Sequence, residues 1–225
     1  MRIVVIGGTG LVGRPTVEAV RRAGHSAVVI SRSHGVDVAT GEGLDTALAG
    51  VDSMIDVTNV TRGSAEALLS IVGLDLITGN AHYTGKRAQE ALVSAGGIPF
   101  TIQRATQFHE FAGMVVDWTV KDDVALVPPL LVQPVATSDV GTVLTEMAIG
   151  TPKGRAVDLA GPQPEDLFDM ARRTLAARGR SIRLIPSWRS GILGPEAAGE
   201  VFLPGPGTRL APMTFDAWLL GQRPS

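Results

Sequence analysis

Ile3-Val4-Val5-Ile6-Gly7-Gly8-Thr9-Gly10-Leu11-Val12-Gly13 sets the terms on which the rest of the chain is read. A short apolar run enters three glycines, Gly7, Gly10 and Gly13, spaced three apart. A strand that feeds such a turn and then an amphipathic helix is the arrangement that cradles a diphosphate. Gly7 permits a sharp turn off the strand, Gly10 lets bare main chain approach the anion, and Gly13 lets the helix pack closely on the sheet. The first helical N–H groups and the positive end of the helix dipole then face the phosphates. Gly7, Thr9, Gly10, Leu11, Val12 and Gly13 are therefore expected to line a bound dinucleotide.

Working outward, Val12, Ala19, Val20 and Ala23 recur at helical spacing and Gly24 supplies the stop. Ala27-Val28-Val29-Ile30 is the continuous apolar run of a strand covered on both faces. About 20 residues past the glycine turn, a protein that prefers NAD places a carboxylate for the ribose 2′-hydroxyl. Here Ser31-Arg32-Ser33 stands in that place. Arg32 suits a 2′-phosphate, which it can pair with while stacking on adenine, and Ser31 or Ser33 can add a hydroxyl donor. NADP(H) is the expected cofactor, with NADPH preferred over NADH.

Further strands are predicted over 36–38, 53–58, 68–73 and 98–104, and helices over 44–49 and 82–95. In the second of those helices Tyr83, Lys86, Arg87 and Glu90 form the polar side and Ala88, Ala91, Leu92 and Ala95 the apolar side. Ligands of an open parallel sheet lie off the carboxyl ends of its strands. Val57, Thr58, Asn59 and Ala105 are thus expected at the cofactor, and Gln107, Phe108 and His109 on a substrate wall. His109, beside two phenylalanines, has packing as its alternative. Asp56, inside an apolar strand, caps a neighbouring loop, faces an edge or is catalytic. The link Thr61 to Ala67 is shorter than a parallel crossover requires, so the helix is reduced to a turn, the sheet is irregular, or a segment is missing.

Beyond Phe111 the periodicity weakens, and 121–133 reads as a loop with a short strand. A helix over 140–149 carries an N-cap signal at Thr137 or Ser138. A strand at 156–159, a helix over 165–177 with Arg172, Arg173 and Arg178 on a solvated face, and a proline-containing remainder that is loop-rich until 215–220 complete the chain. The 225 residues, 44% of them hydrophobic, suit an α/β fold in one domain. Residues 1–107 would form mainly the dinucleotide-binding Rossmann core, and 108–225 mainly a substrate-side lobe interleaved with it.

A formal net charge of -2 offers no attraction to nucleic acid or an anionic membrane surface. The absence of cysteine excludes disulfides and thiolate chemistry, and four scattered histidines give no metal-ligand spacing. The N-terminal apolar run, interrupted by Gly7 and Gly8, is neither a signal peptide nor a membrane span. The expectation is a cytoplasmic protein that takes a small-molecule substrate, with a homodimer as the candidate assembly.

Taken with Arg32, Leu69-Ser70-Ile71-Val72-Gly73, Lys86, Arg104-Ala105-Thr106-Gln107-Phe108-His109-Glu110, Thr137-Ser138-Asp139-Val140 and Val157-Asp158-Leu159-Ala160-Gly161-Pro162, the glycine turn gives a chain that resembles the NmrA-like group of atypical short-chain dehydrogenases/reductases. The resemblance spans nearly the whole sequence. It implies a doubly wound Rossmann-like parallel sheet with a small C-terminal lobe over the substrate. It also implies either NAD(P)H-dependent reduction of quinones, dyes and similar acceptors, or a redox sensor that binds the dinucleotide without turnover. Wider relatives carry a proton-donating Tyr four positions before a Lys that holds the nicotinamide ribose. Counting back four from Lys86 reaches His82, and Tyr83 is one position closer. Both remain candidates for the acid, alongside an enzyme with no dedicated proton donor. Ser70 stands early in its strand for the relatives' catalytic serine.

Overall fold

A computed structural model describes residues 1–38, 40–58, 67–77, 79–191 and 193–222. The chain opens with β1 (Arg2–Ile6), α1 (Gly13–Arg22), β2 (Ser26–Ile30), α2 (Leu44–Leu48), β3 (Ser53–Asp56), β4 (Ala67–Ile71), α3 (Ala81–Ala95) and β5 (Thr101–Ala105). It continues through α4 (Phe111–Thr119), β6 (Val124–Val127), β7 (Leu131–Val132), α5 (Thr137–Ile149), β8 (Gly154–Arg155) and β9 (Leu159–Ala160). It closes with β10 (Glu165–Asp166), α6 (Leu167–Ala177), β11 (Arg183–Pro186), β12 (Arg209–Leu210) and α7 (Phe215–Leu220). Two compact units result, Met1–Ala105 with Thr137–Asp158, and Thr106–Ala136 with Leu159–Ser225.

In the first unit β5, β4, β3, β1 and β2 lie side by side in that order, all parallel, and β8 pairs with β5. Ile3, Val4, Val5 and Ile6 are all buried, so both faces of the central strand are covered. On one face Val4, Ile6 and Ile30 pack with Leu44, Ala47 and Leu48 of α2, and Leu68 and Ile102 pack with Val93 of α3. On the other face α1 and α5 cross closely, and a Cβ on Gly141 would stand 2.8 Å from the Thr16 nitrogen. This is the Rossmann-like α/β architecture.

The short link acquires a geometric explanation. Ile55 pairs with Ala67 and Asp56 with Leu68, so β4 begins beside the last two residues of β3. The end of β3 and the start of β4 therefore lie about 5 Å apart, one strand spacing, and not a whole strand length. Of the residues between them, 59–66 lie outside the described residues.

Three expectations are corrected. No third strand forms over 36–38, because Asp37 closes a local turn with Glu42 (N–H to O, 3.1 Å) while Val36 joins the core beside Val4 and Ile30. The helix expected from 140 begins at Thr137, so Thr137 and Ser138 are helical and do not cap it. In α3 the sides are exchanged, with Tyr83, Lys86, Gln89 and Val93 buried and Ala88, Ala91 and Leu92 exposed. That inversion follows from the sheet, which offers this helix a carboxylate at Asp56 and a guanidinium at Arg104. Arg104 is held by Glu90 (2.8 Å) and Asp75 (2.6 Å).

The second unit pairs β7 with β10, β6 with β11 and β9 with β12. It contains α4, a helix the periodicity did not reveal. Ala112, Val115 and Val116 face inward at helical spacing, but Phe111, Met114 and Trp118 make the outer side apolar as well and remove the contrast. The arginines of α6 are not all solvated. Arg173 is largely covered, pairs with Glu165, Asp169 and Asp216, and lies over the Phe215 ring at 4.7 Å. No described helix is long and apolar enough to cross a membrane.

Replacing Gly141 with Val drives a side chain into the main chain of Pro15 and Thr16. The expected cost is about 1–3 kcal/mol, read as a lower urea midpoint; an unchanged midpoint would show that α1 and α5 separate freely.

Candidate functional site

The glycine turn is built from contacts that tolerate no side chain. Gly7 adopts φ +80° and its N–H donates to the Ile30 carbonyl at 2.9 Å, tying the turn to the end of β2. A Cβ at Gly13 would fall 2.0 Å from the Gly7 oxygen, so α1 starts directly on the turn. Gly8, outside the three-residue spacing, is equally confined, with Val29 Cγ1 2.9 Å from a notional Cβ. Gly10 differs, because its notional Cβ meets only the Gly7 oxygen, at 3.2 Å, and otherwise faces open space. Its own N–H returns to Gly7 O at 2.9 Å. Helix α1 has no side-chain cap, and its first returned N–H among these residues is that of Arg14, to Gly10 O at 3.1 Å. Leu11, Val12 and Gly13 precede that bond and supply the orphan donors of a helix start. Thr9 contributes its carbonyl to the Arg14 guanidinium at 3.0 Å.

Arg32 follows Ile30 by two residues and is exposed in a single 3-10 turn over 32–34. Around it Ser31 Oγ lies 2.9 Å from Ser33 Oγ and 2.9 Å from His34 Nδ1. A guanidinium and a hydroxyl cluster thus stand at the end of β2, on the strand the glycine turn touches.

At the end of β3 the Val57 N–H donates to Ile6 O at 3.1 Å, placing Val57 and Thr58 beside the turn. The Thr58 methyl lies 2.9 Å from a notional Cβ on Gly7. Asp56 Oδ1 accepts from the Thr58 N–H (2.8 Å) and hydroxyl (2.7 Å), and Oδ2 accepts from Gln89 Nε2 (2.7 Å). Asp56 therefore caps its loop, one of the roles its position allowed. Burial pushes this carboxyl above its ordinary range, against the Thr58 hydrogen bonds, the Lys86 charge and Gln89. Asn59 lies outside the described residues. Ala105 ends β5, buried, its carbonyl accepting from Val72 at 2.9 Å.

Lys86, 5% exposed, donates to Thr58 O (2.7 Å), Leu69 O (2.9 Å) and Gln89 Oε1 (3.0 Å). All three ammonium protons are committed to the protein. Burial pulls its pKa down to about 8, opposed by Asp56 and Glu90. Gln89 escaped the sequence reading; its signal was a polar residue three positions after Lys86, on the same helix face. Asn80 Oδ1 caps α3 by accepting from His82 N (3.0 Å) and Tyr83 N (3.4 Å). Tyr83 is buried, whereas His82 is exposed at the helix start with its ring edge-on to Tyr83. Burial, and then the Lys86 charge, lower the His82 imidazole below its usual value, so it is neutral at pH 7.

The residues after β5 divide. Gln107 and Phe108 are half-buried, and Gln107 O accepts from Val135 N at 2.8 Å. His109 is a packing residue and not part of a wall, 0% exposed between the rings of Phe215 and Trp218 with Nε2 3.1 Å from the Met213 carbonyl. Burial pulls its pKa down to about 4, with the Met213 carbonyl acting the other way. Among the described residues no group of three His, Asp or Glu side chains is placed to hold a metal ion.

No family model matches the chain, and no curated protein matches its sequence. Solved structures share its fold. A dTDP-4-dehydrorhamnose reductase from Bacillus anthracis, in complex with NADP, aligns with a TM-score of 0.66 at 12% identity, covering 98% of this chain and 96% of that one. An NADPH-dependent quinone oxidoreductase from Escherichia coli aligns with a TM-score of 0.59 at 14% identity over 89% and 86%. The triphenylmethane reductase of Citrobacter sp., complexed with NADP(H), aligns with a TM-score of 0.58 at 14% identity over 83% and 79%. Similarity at this level establishes the Rossmann-like fold.

His109 gives the second unit a defined acid sensitivity. Its folded pKa lies below the unfolded value, so the unfolded chain takes up a proton first, and the stabilisation present above about pH 6.5 is lost as pH falls towards 4. The loss is expected to be about 3 kcal/mol. Urea unfolding at pH 7 and pH 4.5 should show His109→Gln losing less than the parent; equal losses would remove the assignment.

Proposed function

We propose that this chain is an NADP(H)-dependent oxidoreductase of the atypical short-chain dehydrogenase/reductase type, passing hydride to a small quinone-like or other apolar acceptor. The observation that carries it is the pairing of a bare main-chain turn, open at Gly10, with the Arg32 guanidinium at the end of the neighbouring strand. Orphan helix N–H groups suit the diphosphate, and Arg32 with Ser31 or Ser33 suits a 2′-phosphate. That one fold neighbour is described as NADPH-dependent and two others as complexed with NADP(H) or NADP supports the same cofactor.

When bound, a reduced nicotinamide supplies the hydride. The chain's own residues grip, orient and exclude water more than they move protons. Tyr83 is buried, and burial and then the Lys86 charge lower the His82 imidazole below its usual value. An acceptor whose reduction demands no tuned proton donor fits this arrangement. The buried Tyr83 and the lowered His82 imidazole fit a second reading as well, a sensor that binds oxidised and reduced dinucleotide without turnover.

Titration with NADPH, NADH and NADP+, followed by absorbance assays on quinones, dyes and aldehydes, separates the two. Arg32→Asp is expected to weaken NADPH by about tenfold or more while leaving NADH unchanged. Equal preference before and after the substitution would overturn the cofactor assignment.

A further inference from the structure

We propose that Gln89 is the positioning residue of this site, an amide spacer that keeps the Lys86 ammonium on the main chain just past β3 and within β4, and off the Asp56 carboxylate. Its consequence for binding rests on the NADP(H) reading above, whereas its cause is in the protein alone.

Gln89 is 3% exposed, donating through Nε2 to Asp56 at 2.7 Å and accepting through Oε1 from Lys86 at 3.0 Å. A primary amide alone among side chains of this length offers a donor to a carboxylate and an acceptor to an ammonium at once. Glutamate would oppose Asp56, and lysine or arginine would oppose Lys86. Lys86 and Gln89 stand three apart on α3 and so share a face. Without the amide, two buried opposite charges attract each other directly, because little solvent screens them.

With it, the ammonium turns to Thr58 O, two residues past β3, and to Leu69 O within β4, both main-chain atoms. Thr58 is then held from both sides, its carbonyl by Lys86 and its N–H and hydroxyl by Asp56. Its methyl in turn fills the space beside Gly7. The relay Asp56, Gln89, Lys86, Thr58 therefore fixes the floor of the glycine turn and a positive charge beside it before any ligand arrives, which lowers the ordering cost of binding. Among the described residues the other charged or titratable groups that act with Lys86 are Glu90 and His82 on its own helix, while Arg104 on β5 is held by Glu90 and Asp75.

The chain has three lysines, Lys86, Lys121 and Lys153, so NMR of the full-length protein with labelled lysine resolves the Lys86 titration. In Gln89→Leu the ammonium is expected to fall onto Asp56, raising its midpoint by about one unit. An unchanged or lower midpoint overturns the spacer role. Asp56→Asn keeps the local shape if Gln89→Leu does not fold; there the midpoint should fall, and constancy overturns the proposal. Both lysine readouts need no dinucleotide, so they stand even if the parent fails to bind NADPH, a result that would instead remove the function proposed above.

For binding, Gln89→Leu is expected to weaken NADPH by about tenfold, the scale of one buried charged hydrogen bond, with the NADPH to NADH ratio unchanged. Gln89→Leu added to Lys86→Met should weaken NADPH no further than Lys86→Met alone. Losses that multiply, or a changed ratio, would show Gln89 acting by another route.

Discussion

Helix α1 starts where Gly13 touches Gly7, and nothing larger than a hydrogen fits there. A Cβ 2.0 Å from a carbonyl oxygen cannot be relieved by rotating a side chain, since both partners are main chain. That contact fixes where the helix begins, hence where its unpaired N–H groups lie, and brings Pro15 and Thr16 to the height at which α5 meets them. Gly141 repeats the constraint one layer out. The turn is thus held by exclusion of volume, and the open space beside Gly10 follows as the geometric remainder.

On the opposite face of the sheet the organising force is electrostatic. Burying a carboxylate, an ammonium and a guanidinium is costly unless every donor and acceptor is matched. The matching is close to complete. Arg104 spans Glu90 and Asp75, Lys86 spends its three protons on two carbonyls and an amide, and Asp56 accepts three hydrogen bonds. These anchors draw α3 onto β3, β4 and β5 at the place where the shortened link to β4 leaves the least chain. Polar groups there serve the packing role that leucines and valines serve elsewhere in the sheet.

The second unit shows what happens when local pattern and burial disagree. Helix α4 is apolar on its outward stripe, so its amphipathic signal disappears although its inner face packs normally. Arg173 reads as a surface charge in a helical pattern, yet Glu165, Asp169 and Asp216 surround it and Phe215 lies beneath it. One of these carboxylates, Asp216, and the Phe215 ring come from far along the chain, and no short window could show them. His109 is similar, because the rings that enclose it, Phe215 and Trp218, arrive from the far end of the chain.

The sequence by itself determined the strand, glycine turn and helix of the opening βαβ unit, the cation at the end of β2 and the parallel sheet, since each depends on residues near in sequence and on backbone freedom. The role of Asp56 was legible only as a choice among alternatives, and Gln89 only as a polar residue on the helix face of Lys86. Tertiary structure alone decided which face of α3 is buried, how β4 is offset against β3, and how Lys86 is bonded. Those outcomes depend on charges and hydrogen-bond acceptors that meet across the sheet from separate strands, and such pairings leave no periodic trace in the chain that carries them.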